Sequence, residues 1–168
     1  MVTSDNALPN AYSLERLREA DARAILKWRY KKPYDFYNPP EDGRDDFYVE
    51  GFLDPRLRFH AIRDGDGILA GFCSFGIDGQ VAGGNYAEDA LDIGLGMRPA
   101  LTGQGHGRAF FNAILAHAMS TFAPCKFRLT VARFNNRAMR LYEGFGFTEQ
   151  SRFEQHQVMY CVLVRSVG

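Results

Sequence analysis

Cysteine is scarce and scattered: Cys73, Cys125 and Cys161 are the 3 in a chain of 168 residues, with no Cys-x-x-Cys pair. An odd number at such spacing argues against a disulfide framework and a zinc knuckle, and it fits a reducing compartment. An excess of one charge is also missing. The 20 Lys and Arg offset the 20 Asp and Glu, so the basic surplus through which phosphate contacts drive nucleic-acid binding is absent. Long apolar runs are lacking too. The longest, Val158 to Val164, falls far below the roughly 20 residues that span a bilayer, and the polar stretch Met1 to Asn10, with Asp5 and Pro9, has no apolar core of a signal peptide. His60, His117 and His156 show no ligand spacing, so no metal is expected. These absences lead us to expect a cytoplasmic protein with no nucleic-acid and no membrane partner.

Three common catalytic signatures are missing as well. No Gly-Lys pair exists to form a P-loop. The dinucleotide fingerprint G-x-G-x-x-G fails because Arg108 stands where Gly103 and Gly105 would require a third glycine. The hydrolase elbow G-x-S-x-G fails at Gly71-Phe72-Cys73-Ser74-Phe75, where serine comes one place late.

What is present is enough apolar material for one domain over residues 1–168: 46% hydrophobic and 14% aromatic, a composition that buries a core without disulfides. Tyr12 to Leu17 alternates as a first strand, and Asp21 is positioned to cap a helix running through Ile25 towards Tyr30. Pro33, Pro39 and Pro40 make 31–44 a loop, followed by a short helix towards Leu53. Phe59 to Arg63 and Ile68 to Ile77 flank the turn Asp64-Gly65-Asp66-Gly67 as a hairpin. Leu91 to Met97 is a strand with Leu91, Ile93, Leu95 and Met97 on one face and Asp92, Gly94 and Gly96 on the other. Phe110, Phe111, Ile114, Leu115, Ala118, Met119 and Phe122 recur at helical spacing, ended by Pro124. Phe127 to Val131 is a further strand, Asn135 to Glu143 a short helix, and Thr148 to Arg165 a final pair of strands. The order is that of a mixed α/β (α+β) sheet without internal repeats.

The chemistry concentrates at Thr102-Gly103-Gln104-Gly105-His106-Gly107-Arg108. Alternate glycines permit positive φ and close approach of a ligand. The helix they lead into offers unpaired N–H groups and the positive end of its dipole. Strand, glycine turn and helix N-terminus together form a cradle for a pyrophosphate, with Arg108 at its rim. Taken alone, such a cluster is also what a tight strand-to-helix turn looks like.

Met97-Arg98-Pro99, Thr102 to Gly107, and Asn135-Asn136-Arg137-Ala138-Met139-Arg140-Leu141-Tyr142-Glu143-Gly144-Phe145-Gly146-Phe147 resemble the GNAT superfamily of N-acetyltransferases. Its coenzyme A signature is R/Q-x-x-G-x-G/A, followed by N-x-x-A-x-x-L-Y-x-x-x-G-F. The likeness is specific from Leu91 to Thr148, with Thr102 in place of the family's Arg or Gln; its hydroxyl can still donate a hydrogen bond. The resemblance implies a central, mostly antiparallel sheet flanked by helices, with the fourth and fifth strands (Leu91–Met97 and Phe127–Val131) splayed apart. It implies acetyl-coenzyme A as cofactor, held by Leu95, Gly96 and Met97, by Thr102, Gly103, Gln104, Gly105, His106, Gly107 and Arg108, and by Asn135 and Tyr142. Gly94 and Gly96 suit close backbone approach within a strand. The implied reaction is direct acetyl transfer to a primary amine in a ternary complex, with Tyr142 as proton donor to the departing sulfur.

A base must also take a proton from the amine. Asp92 is the candidate, with Glu88 and Asp89 able to act through a water; a carboxylate paired with a nearby arginine is the competing reading of Asp92. Trp28, Tyr30, Tyr34, Phe36 and Tyr37 form either a packing cluster or a lid over the acceptor, and Trp28, Tyr30, Tyr34 and Tyr37 are the candidate substrate-binding residues. The expected partner is a small-molecule or peptide amine, and the C-terminal strands offer an edge for a homodimer. Two rivals remain: a non-catalytic module of the same fold that binds acyl-coenzyme A as a regulator, and a nucleotide-binding protein using the same cradle.

Overall fold

A computed structural model describes residues 12–168; the polar stretch Met1 to Asn10 lies outside them. Seven strands form one sheet in the order β1-β2-β3-β4-β5-β7-β6. They are β1 (Ser13–Arg16), β2 (His60–Arg63), β3 (Leu69–Phe75), β4 (Leu91–Met97), β5 (Lys126–Ala132), β6 (Thr148–Gln155) and β7 (Val158–Ser166). Neighbours pair antiparallel except β4 and β5, which are parallel. The helices are α1 (Glu19–Ile25), α2 (Asp45–Leu53), α3 (Gly107–Phe122) and α4 (Asn136–Gly144).

Strand alternation sorts the core onto the two faces of this sheet. Ile62, Cys73, Phe75 and Ile93 pack with Phe110, Phe111 and Ile114 of α3 and with Tyr142 of α4. On the opposite face Ala61 and Leu17 pack with Ala22, Ile25 and Val49 of α1 and α2, joined by half-buried Trp28, Phe52, Phe59 and Phe72. Phe75, Phe110, Phe111 and Ile114 are at most 1% exposed, and burying such a side chain contributes about 1.5–3 kcal/mol. The apolar stripe read from the sequence is therefore the inner face of α3. That helix ends where Ala123 turns left-handed at φ 44°, one residue before Pro124.

The first helix departs from expectation at both ends. Arg18, not Asp21, is its N-cap; Asp21 stands in the first turn, and its Oδ2 accepts the Arg18 N–H at 3.1 Å. An acidic side chain there complements the helix dipole, and Arg63 Nη2 adds a hydrogen bond of 2.9 Å to Asp21 Oδ1. The helix stops at Ile25 rather than near Tyr30, which releases 26–44 to cross the sheet. Tyr34–Tyr37 form a single 3-10 turn within that crossing. Among the described residues no helix is long and apolar enough to cross a membrane.

Candidate active site

β4 and β5 are in register at Leu91–Phe127 and Asp92–Arg128. Beyond Asp92, β4 runs on to Met97 paired with β3 alone, so a wedge opens between β4 and β5. At its apex Arg128 donates from Nε to Asp92 Oδ1 and from Nη2 to Asp92 Oδ2, each at 2.7 Å. This pair rivets the two strands where they part. The backbone direction along the wedge follows from alternation. Asp92 O accepts Gly76 N–H and Arg98 N–H donates to Ala70 O, so the even residues of β4 bond to β3. The N–H and C=O groups of Leu95 and Met97 therefore face the gap. The Met97 carbonyl is engaged there, accepting the Tyr30 hydroxyl at 2.6 Å.

The β4 glycines have a reason the sequence did not reveal. A Cβ on Gly96 would lie 2.5 Å from the Phe72 ring, and one on Gly94 would lie 2.5 Å from Ser74 Oγ. Cross-strand side chains of β3 lie over them on the α1–α2 face, so close packing on that face, rather than the approach of a ligand, demands glycine here.

The glycine turn has the form expected of a cradle. Gly103 and Gly105 adopt φ of 72° and 83°, and α3 begins at Gly107 with His106 as N-cap and no side-chain cap. The N–H groups of Gly107 and Arg108 thus have no helical acceptor. Thr102, Gly103, Gly105, Gly107 and Arg108 border the central cavity of about 1710 Å³; Gln104 and His106 do not. The Thr102 hydroxyl donates to Pro99 O at 2.8 Å, so it shapes the turn and its proton is not free to donate to a ligand. Arg108 rests over the Phe145 ring at 5.1 Å.

A different arginine stands over the turn. Arg137 Nη1 would be 3.1 Å from a Cβ on Gly103, and its guanidinium stacks 4.2 Å from the Tyr34 ring centre. The sequence carried a signal for it. Arg137 occupies the first turn of α4, where a cation opposes the helix dipole, so its position calls for another reason such as an anion.

Asn135 caps α4, its Oδ1 accepting Ala138 N–H at 3.1 Å, and its Nδ2 donates to the Tyr37 hydroxyl at 3.1 Å. One amide hydrogen is left over. Tyr142 borders the cavity and is 7% exposed, packed against Phe111 at 5.1 Å between ring centres. Burial pushes its hydroxyl well above the ordinary phenol range, so Tyr142 stays protonated and is a weaker acid than the sequence suggested.

Trp28, Tyr30, Tyr34 and Tyr37 all border the cavity. Tyr30 holds β4 through Met97, while Tyr37 packs 6.0 Å from Phe134 and bonds Asn135. The 30–38 segment therefore bridges the two sides of the wedge.

The carboxylates are rearranged relative to expectation. Asp92 is 3% exposed, holds Arg128 and accepts Gln80 Nε2 at 2.9 Å; it does not border the cavity. With both oxygens engaged by a guanidinium, it is the arginine-paired carboxylate of the competing reading. Glu88 pairs with Lys126 and accepts Gln150 Nε2 at 2.7 Å, its carboxyl held down by Lys126 first and Gln150 second. The carboxylate that does reach the cavity beside β4 is Asp78, in the 3-10 turn after β3. Sequence reading passed over it because the 78–90 segment looked like a plain connection. His60 and His117, far apart in sequence, bring their rings to 4.8 Å on the α3 side.

No curated protein matches the chain. Solved structures that resemble it include a chimera of spermidine N-acetyltransferase SpeG from Vibrio cholerae with hSSAT, at 21% identity over 93% of this chain and 95% of that one, with a TM-score of 0.68. The spermidine/spermine N-acetyltransferase SpeG from Vibrio cholerae in complex with manganese ions is similar at 22% identity, covering 93% of this chain and 92% of that one with a TM-score of 0.67. A dodecameric spermidine N-acetyltransferase from the same organism matches at 21% identity, over 93% and 94% of the two chains, with a TM-score of 0.65. At such identities the likeness is one of fold. The model of the acetyltransferase (GNAT) family matches residues 20–147, and the chain belongs to that family.

Proposed function

We propose that this enzyme transfers an acetyl group from acetyl-coenzyme A to a primary amine, with both bound at once. The observation that carries this reading is the wedge. It opens the Leu95 and Met97 backbone on the same cavity as the uncapped start of α3. A diphosphate fits the turn at Gly103 to Arg108, where unpaired amides and the helix dipole favour an anion and Arg137 adds a cation. Gly105, with open space where a Cβ would stand, lets such a group approach the main chain.

When bound, acetyl-coenzyme A supplies the activated acetyl thioester. Leu95 N–H, fixed by the β3 pairing of its neighbours, is the donor suited to polarise the carbonyl as negative charge develops on oxygen. Tyr142 offers its hydroxyl to the sulfur. Because burial keeps that phenol protonated, it acts as a relay that gives a proton while receiving one from the reacting nitrogen. Cys73 and Cys161 are buried and Cys125 is exposed, and none borders the cavity, which supports direct transfer over an acyl-cysteine route. Thiol release from acetyl-coenzyme A across a library of primary amines tests the reading. Binding without turnover on any amine would favour the non-catalytic acyl-coenzyme A module instead.

A further inference from the structure

Acetyl transfer requires that an ammonium lose a proton before nitrogen can attack, and Asp92, locked to Arg128, is not placed to take it. We propose that Asp78 is the base, and that the acceptor is a primary monoamine whose apolar body lies on the aromatic wall of Phe72, Trp28, Phe52 and Phe59. The proposal rests on the acetyltransferase reading above and specifies its acceptor.

Asp78 reaches the wedge from the α1–α2 face. Its Oδ2 accepts the Ser74 hydroxyl at 2.7 Å and would lie 3.4 Å from a Cβ on Gly94. Gly94 immediately precedes Leu95, whose N–H opens into the gap. The carboxylate thus stands beside β4 at the level of the candidate oxyanion donor, on the face opposite α3 and α4. Phe72 and Ser74 are two residues apart on one face of β3, about 7 Å along the strand. Around Phe72 gather Trp28 at 6.1 Å, Phe52 at 5.9 Å and Phe59 at 6.1 Å between ring centres. An ammonium at Asp78 would place the carbon skeleton it carries against these rings, whose faces also attract cations.

The electrostatic setting is simple. Asp78 is accessible from the cavity, and among the described residues its hydrogen-bond partner is Ser74. The protein around the carboxyl pushes its pKa up, and the Ser74 bond opposes that rise. The other charged groups on the cavity wall are Arg108, Arg137 and Arg140 on the α3–α4 side, Asp54, which is paired with Arg56, and Glu50 on α2. The tyrosines Tyr30, Tyr37, Tyr48, Tyr142 and Tyr160 stay protonated, Tyr30 being pushed up to about 12 by burial. Asp78 is the wall carboxylate that stands beside β4, and next to the aromatic wall it suits one ammonium on an apolar body.

The step balances. The ammonium gives one proton to Asp78, the N–C bond forms to the acetyl carbon, and the C–S bond breaks. Sulfur takes a proton from the Tyr142 hydroxyl while that hydroxyl takes the second nitrogen proton. Asp78 then returns its proton to solvent.

The test uses the full chain with acetyl-coenzyme A and three probe amines: 2-phenylethylamine, methylamine and spermidine. We expect kcat/KM for 2-phenylethylamine to exceed both others by at least about tenfold, the scale of a modest apolar contact. Asp78→Asn should lower kcat/KM by about 10²-fold or more, remove the acidic limb of the pH profile and leave acetyl-coenzyme A binding unchanged by calorimetry. Asp78→Glu should restore part of the rate. Ser74→Ala, which removes the bond that lowers the Asp78 pKa, should keep activity and shift the acidic limb to higher pH; this variant covers a failure of Asp78→Asn to fold. An unaltered acidic limb in both variants, spermidine as the preferred amine, or no turnover of 2-phenylethylamine by an enzyme that binds acetyl-coenzyme A would overturn the proposal. Failure to bind acetyl-coenzyme A at all would instead remove the acetyltransferase reading beneath it.

Discussion

Asp92 and Arg128 meet through two hydrogen bonds of 2.7 Å at the last register pair between β4 and β5. Their side chains are each 3% exposed, so neither charge can be left alone without a large desolvation cost. The pair fixes the apex of the wedge, and under the proposed function this makes Asp92 a positioning residue.

Asp92→Asn should therefore destabilise the fold by about 3–5 kcal/mol, the cost of leaving a buried partner unpaired. The surviving activity should keep the shape of its pH profile. Thermal unfolding and pH–rate measurements check both. A changed acidic limb with intact stability would return Asp92 to the list of bases.

Arg137→Gln should weaken acetyl-coenzyme A binding by about tenfold, equivalent to about 1.4 kcal/mol, and flatten its dependence on salt. Stability should hold or rise by a few tenths of a kcal/mol (~0.3), because the substitution removes a cation from a helix N-terminus. Calorimetry at two ionic strengths, with a parallel melting curve, separates these effects. Arg108→Gln should weaken binding less, since Arg108 rests on Phe145.

Tyr142→Phe should lower kcat by about 10²-fold with the cofactor Kd unchanged. The sign of its pH dependence follows from the raised pKa. The donor form persists until pH passes that raised value, so ionisation of Tyr142 should add no alkaline decline below about pH 10. A kcat that falls in wild type but not in Tyr142→Phe as pH rises from neutral would contradict the assignment.

Gly96→Ala should cost about 1–3 kcal/mol through overpacking, because its Cβ would meet the Phe72 ring at 2.5 Å. Displacing that ring disturbs the acceptor wall, so the amine KM should rise while cofactor affinity stays level. Steady-state kinetics on both substrates tests the split.

Much of this architecture was legible because single periodicities decide it. The stripe from Phe110 to Phe122 could only be a helix with one buried face, and the alternation of Leu91 to Met97 gave β4 its bounds without error. Spacing within a known pattern singled out Tyr142 and the 103–107 turn, and Tyr142, Gly103, Gly105 and Gly107 border one cavity. What stayed hidden depended on partners distant in sequence. Nothing around Asp92 says that Arg128, 36 residues on, will claim both its oxygens, nor that Ser74 will hold Asp78 beside Gly94. The start of α1 was misjudged because its N-cap is Arg18, whose backbone N–H is satisfied by Asp21 Oδ2 from the first turn, an arrangement that the preference for short polar N-caps does not anticipate. The aromatic residues of 28–37 invited either packing or a lid. Tyr30 on Met97 and Tyr37 on Asn135 place them across the wedge, where both descriptions apply.

A structure of the chain with coenzyme A bears most directly on the whole account. It should place the diphosphate on the amides of residues 103–108 beside Arg137 and thread the pantetheine arm between β4 and β5, towards Leu95 and Tyr142. Coenzyme A bound outside that wedge, or with its diphosphate away from the start of α3, would contradict it.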